Sequence, residues 1–136
     1  MSFFEDIKKF NKMYNLPCNE TPTNLGHERL KNFSEIFKEE VMEWTEIWDH
    51  EVDEGGKDTL VMMADWLGDL VVYCASEASR WGIPLEEVLG VIMQSNFSKL
   101  SSEGAPIIDE RGKVMKGPNY WKPEPKIKEL LERSKK

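Results

Sequence analysis

Ile36-Phe37-Lys38-Glu39-Glu40-Val41-Met42-Glu43-Trp44 and, further along, Ala64-Asp65-Trp66-Leu67-Gly68-Asp69-Leu70 are the two stretches that decide how this chain is read. In the first, Glu39 and Glu43 are four residues apart and Glu40 and Glu43 three apart; in the second, Asp65 and Asp69 are four apart. At helical periodicity such pairs share a face, with Cβ atoms about 5–6 Å apart. Both sets are interleaved with apolar residues, so their faces border a core. Like charges at this spacing weaken a helix, and two such helices side by side would repel further. Converging carboxylates therefore call for a cation. Magnesium takes hard oxygen ligands, and a bundle with acids on facing helices is a known way to hold metal ions.

Working outward, the first stretch lies in a predicted helix from His27 to about His50, with Leu30, Phe33, Ile36, Phe37, Val41, Trp44, Ile47 and Trp48 on its apolar side. The second lies in a helix from about Asp58 to Trp81, stopped by Gly82; Pro84 opens another that runs to about Leu100. An earlier helix spans Ser2 to Tyr14, with Glu5 and Asp6 near its positive end. Asn15 to Gly26 reads as a loop. Ser101 to Pro125 is rich in glycine and proline and reads as extended, with a hairpin around Arg111-Gly112; Lys126 to Lys136 suits a short final helix. The expected fold is all-α: a four-to-five-helix bundle with an irregular extended C-terminal segment. It forms one domain over residues 1–136, with a helical core over about 2–100 and a tail over about 101–136. Gly68, costly inside a helix, suggests a close helix approach. Wide, tryptophan-rich apolar faces on the second and third helices predict a homo-oligomer that buries the excess.

The composition narrows the function. The net charge of −7 disfavours a nucleic-acid partner, because a bare acidic surface repels a phosphate backbone. Bound divalent cations would invert that field locally and attract a triphosphate. No stretch is expected to supply the roughly 20 apolar residues of a membrane span, and the N-terminus lacks the pattern of a signal peptide. Cys18 and Cys74 have no metal-type spacing and read as reduced thiols of a cytoplasmic protein.

The motifs resemble those of the all-α NTP pyrophosphohydrolase superfamily, which includes MazG, the dimeric dUTPases and phosphoribosyl-ATP pyrophosphohydrolase. Glu39-Glu40-Val41-Met42-Glu43 looks like its Glu-Glu-x-x-Glu helix, and Asp65-Trp66-Leu67-Gly68-Asp69 like the acidic helix that follows. The common second motif is Glu-x-x-Asp, but position 66 here is tryptophan, so the acids fall as Asp-x-x-x-Asp. A MazG-like subgroup with this variant also tends to carry the later motifs seen here as Ser95-Asn96-Phe97-Ser98-Lys99 and Gly112-Lys113-Val114-Met115-Lys116-Gly117-Pro118-Asn119-Tyr120. The resemblance covers about Glu35 to Pro123.

It implies metal-assisted cleavage between the α- and β-phosphates of a nucleoside triphosphate, giving a monophosphate and pyrophosphate, in a homodimer or homotetramer. Glu40, Glu43 and Asp69 are the expected main ligands of Mg2+, with Mn2+ able to substitute, and Asp65 a further ligand. Glu39 is either a ligand to a second metal or the general base, a role open to Glu40 as well. Asn96 and Lys99, three apart on one helix face, would meet phosphate, and Lys113, Lys116 and Tyr120 of the tail would close over it. Trp44, Trp48, Trp66 and Trp81 are candidates for stacking on a base. Two other readings compete: the same fold acting on a diphosphate, a dinucleotide or phosphoribosyl-ATP, and an acidic helical interaction module without catalysis.

Overall fold

The computed structural model describes residues 2–135 and divides into two compact units, Met1–Gly82 and Ile83–Lys136. The first holds α1 (Phe3–Met13), α2 (Gly26–Val41), α3 (Trp44–Glu54) and α4 (Thr59–Arg80); the second holds α5 (Leu85–Phe97) and α6 (Glu124–Ser134). The class is all-α, as expected. Among the described residues six helices replace the expected four to five, because the long second helix is broken at Met42-Glu43.

In the first unit α1, α2 and α3 each pack on α4. Helix α1 starts with a capping box. The Ser2 hydroxyl accepts from the Glu5 amide at 3.2 Å, and the Ser2 amide donates to Glu5 Oε2 at 3.1 Å. Its buried side chains are Ile7 and Asn11. Asn11, 1% exposed, donates to the Ser76 carbonyl at 3.3 Å and accepts from the Ser76 hydroxyl at 2.7 Å. Ala75 and Ala78, both buried and both small, sit beside that contact on α4. Past α1, the Asn19 side chain donates to the Arg80 carbonyl at 2.6 Å and the Thr23 amide to the Trp81 carbonyl at 2.8 Å. Gly82 then ends α4 with φ +69°; a Cβ there would lie 2.0 Å from the Thr21 carbonyl oxygen, so only glycine fits.

Helix α2 buries no residue fully. It is held to α4 by polar groups at both ends. Arg29, near its start, forms a two-pronged pair with Glu77 (Nη2–Oε1 2.5 Å, Nε–Oε2 3.0 Å). Glu40, near its end, meets Trp66 and Tyr73. The two anchors run in opposite senses along the helices, so α2 and α4 are antiparallel.

Helix α4 corrects two expectations. By length and composition it is apolar enough to cross a membrane, although no such stretch was expected. Here it is the helix on which α1, α2 and α3 pack, and Asp65 and Asp69 lie within it. Its outer positions Leu60, Val61, Leu67 and Val71 stay exposed, Leu60 at 85%. Gly68 was expected to admit a close neighbour, yet nothing lies within 4 Å of where its Cβ would be.

In the second unit α5 packs with α6. The hairpin expected around Arg111-Gly112 is present as a single antiparallel bridge between Ile108 and Val114. Asp109 Oδ1 shapes its turn by accepting from the Arg111 amide at 2.9 Å and the Lys113 amide at 2.8 Å. The tail is pinned to the end of α5. Ser95, 2% exposed, donates to the Trp121 carbonyl at 2.8 Å, and the Ser98 hydroxyl accepts from the Trp121 amide at 3.2 Å. Gly117 lies flush against Leu100, where a Cβ would come 1.9 Å from the carbonyl oxygen. Gly117→Ala is therefore expected to lift the tail and cost about 1–3 kcal/mol as an overpacking substitution. Urea denaturation of the full chain checks this, and an unchanged midpoint would refute the close contact.

Candidate functional site

The break between α2 and α3 builds the acidic site. In an unbroken helix the Trp44 amide would bond the Glu40 carbonyl. Instead that carbonyl accepts from the Glu43 amide at 3.2 Å and from the Trp66 indole Nε1 at 2.9 Å. Neither glycine nor proline stands at 40–44. The interruption coincides with a side chain entering the helix ladder, one of the recognised causes of a sharp bend. Glu43 becomes the residue that opens α3.

Along α4, Trp66, Asp69 and Tyr73 stand at i, i+3 and i+7, one helix face. Tyr73 donates its hydroxyl to Glu40 Oε1 at 3.1 Å. Desolvation, then the hydrogen bond to Glu40 and the charges of Glu40, Asp69 and Glu43, push the Tyr73 phenol up, so it stays protonated and serves as a donor. Glu43's carboxyl is also raised above the usual carboxylate range. Desolvation comes first among the causes, followed by Glu40 beside it and the charges of Glu46 and Asp69.

Of the acids singled out from the sequence, Glu40 and Asp69 thus both act on Glu43, and all three act on Tyr73. Glu39 and Asp65 are exposed and are not among the charges acting on Glu43 or Tyr73. Among the described residues, no three His, Cys, Asp or Glu side chains are grouped closely enough to hold a metal ion as placed. The donor chemistry nonetheless fits magnesium: the three interacting side chains offer only carboxylate oxygens. The charges of Glu40, Glu46 and Asp69, which add to desolvation in raising Glu43, are what a divalent cation would offset.

The remaining candidates belong to the second unit. Asn96 is exposed near the end of α5. Lys99 lies just past that helix rather than on it, in a turn where its amide donates to the Asn96 carbonyl at 3.2 Å. Lys116 Nζ sits 5.1 Å from the centre of the Tyr120 ring, so these two are brought together. Lys113 is exposed on the hairpin. Of the tryptophans, Trp66 and Trp81 have their indole N–H groups engaged, by the Glu40 carbonyl and by Glu77 Oε2 at 2.7 Å, whereas Trp44 and Trp48 are exposed.

Sequence reasoning missed Tyr73. The i, i+3, i+7 set with Asp69 was the available signal. It also missed that Ser95 and Ser98 pin the backbone of Trp121, which gives a structural reason for the serines of the Ser-Asn-Phe-Ser-Lys run to accompany the tail motif.

No family model and no curated protein matches the chain. Among solved structures it is similar to a protein from Exiguobacterium sp. 255-15 that is proposed to be an NTP pyrophosphohydrolase. The two are 21% identical, the match covers 99% of this chain and 96% of that one, and the TM-score is 0.51. At that identity the likeness shows the fold: over nearly its whole length this chain has the all-α fold of that protein.

Proposed function

We propose that this protein is a Mg2+-dependent nucleoside triphosphate pyrophosphohydrolase of the MazG-like type, cleaving between the α- and β-phosphates. The observation that carries the reading is that Trp66 and Tyr73 of α4 both bond Glu40, which brings the end of α2, with Glu43 in the break beside it, against the α4 face that carries Asp69. The shared fold with a protein proposed to have this activity supports it.

Glu40, Glu43 and Asp69 would hold the ion, with Asp65 one turn away as a further ligand. When bound, magnesium neutralises the triphosphate and polarises the attacked phosphorus. Glu39, exposed one residue before Glu40, would take a proton from the attacking water or bind a second ion. Asn96, Lys99, Lys113, Lys116 and Tyr120 are the proposed phosphate-binding groups. A homodimer or homotetramer would cover the exposed apolar positions of α4.

The purified chain with magnesium should release pyrophosphate from at least one member of a panel of ribo- and deoxynucleoside triphosphates. Chromatography of the products separates this from action on a diphosphate, a dinucleotide or phosphoribosyl-ATP. The exposed apolar faces, and acids not grouped for an ion as placed, favour one alternative, a non-catalytic interaction module. Absence of both pyrophosphate release and any Mn2+- or Mg2+-dependent rise in melting temperature would decide for it, since a ligand that binds the native state must stabilise it.

A further inference from the structure

We infer that Glu40 is a pre-positioned metal ligand, and that Trp66 and Tyr73 are the positioning residues that hold it, one by its backbone and the other by its carboxylate. The inference rests on the functional reading above and goes beyond it, because neither aromatic residue is one of the acids that reading uses: Trp66 stands between them in the second motif and Tyr73 lies outside it.

The grip is double. The Trp66 indole donates to the Glu40 carbonyl at 2.9 Å, and the Tyr73 hydroxyl donates to Glu40 Oε1 at 3.1 Å. A backbone bond fixes where the residue sits; a side-chain bond fixes where its carboxylate is held. Both donors come from one face of one helix, so they act as a rigid pair. Asp69 lies between them on the same face, three residues after Trp66 and four before Tyr73. Helix α2 has no fully buried residue, and these bonds tie its end to α4. Glu43 is tied back to Glu40 itself, its amide donating to the Glu40 carbonyl at 3.2 Å, and among the described hydrogen bonds neither Glu43 nor Asp69 takes a side-chain bond from Trp66 or Tyr73. Glu40 would therefore offer its carboxylate to an ion from a position set by α4. The same geometry gives a purpose to tryptophan at position 66, where the resembling family commonly has another residue: its N–H takes the carbonyl that the helix break releases.

Partners that orient a metal ligand cost about 10–100-fold in metal affinity when removed. Tyr73→Phe deletes only a hydroxyl, and Trp66→Phe keeps a ring but loses the donor. Titration calorimetry with Mn2+ alone should show Tyr73→Phe binding about tenfold or more weakly than wild type. In the pyrophosphate assay the Mg2+ needed for half-activation should rise while turnover at saturating Mg2+ changes far less. Trp66→Phe should follow in the same direction. Circular dichroism establishes that each variant is folded. A purely structural role would lower melting temperature and leave the Mn2+ affinity alone. A folded Tyr73→Phe that binds Mn2+ as wild type does overturns the inference while leaving the proposed function standing. A wild-type chain that binds no Mn2+ removes the metal reading itself, and the inference with it.

Discussion

Glu43→Gln should abolish metal-dependent pyrophosphate release and yet leave the metal-free protein at least as stable as wild type at neutral pH. Both outcomes have one cause. Glu43 carries a raised carboxyl because desolvation and the charges of Glu40, Glu46 and Asp69 oppose its ionisation. Glutamine keeps the shape and removes the charge. Since merely orienting partners of a ligand cost about 10–100-fold, losing a proposed direct ligand should cost at least about 100-fold in turnover. The pH dependence follows from the direction of the shift. Below its ordinary value of 4.5 the carboxyl is protonated in folded and unfolded chains alike, and wild type and variant should match. As pH rises through the raised folded value, wild type loses stability because it must hold an ionised carboxylate among like charges. The variant does not, so the gap opens toward neutrality. Saturating Mn2+ should reverse the order, stabilising wild type and not the variant. Thermal unfolding from pH 4 to 8, with and without Mn2+, reads all three. Retained turnover together with retained stabilisation by Mn2+ would sink the assignment of Glu43.

The largest loss of stability is expected from Arg29→Met. Glu77 is 9% exposed and accepts two bonds from Arg29 and one from Trp81. Arg80 Nε stands 3.9 Å away, too far to replace the two-pronged pair. Removing one partner of a buried ion pair typically costs about 3–5 kcal/mol, because the other charge is left stranded. Against a total of about 5–15 kcal/mol for a typical domain, that is a large share. Replacing both partners with apolar residues, Arg29→Met with Glu77→Leu, should recover much of the loss. Denaturant titrations of the two singles and the double form the test. A single variant within about 1 kcal/mol of wild type would show that the pair is not a main anchor of α2; it would then rank with exposed ion pairs.

The helices were legible in the sequence because each carries its own periodicity and stops, as with Ser2-x-x-Glu5 opening α1 and Gly82 closing α4. The break at Met42-Glu43 was not legible. Its local residues suit a helix, and it coincides with an indole from α4 bonding the Glu40 carbonyl, a tertiary contact that no local pattern encodes. The acids of the site were legible as spacings, yet spacing alone did not separate Glu40, Glu43 and Asp69, whose charges bear on Tyr73, from Glu39 and Asp65, whose charges are not among those acting there. That distinction depends on how α4 is rotated against the end of α2. The buried Glu77 was hidden for the same reason: it looks like one more surface acid until Arg29, far away in sequence, is seen against it.

Asn11 and Ser76 have a further consequence. The most deeply buried side chain of α1, Asn11, meets α4 as an amide with a hydroxyl and a carbonyl rather than as an apolar group. Apolar surfaces tolerate sliding. A slip of α1 by one turn would move that amide about 5.4 Å along α4 and strand it in an apolar setting. The contact thus works as a ruler: it adds little depth to the native state, but it makes neighbouring alignments expensive and leaves one register for the helix that opens the chain.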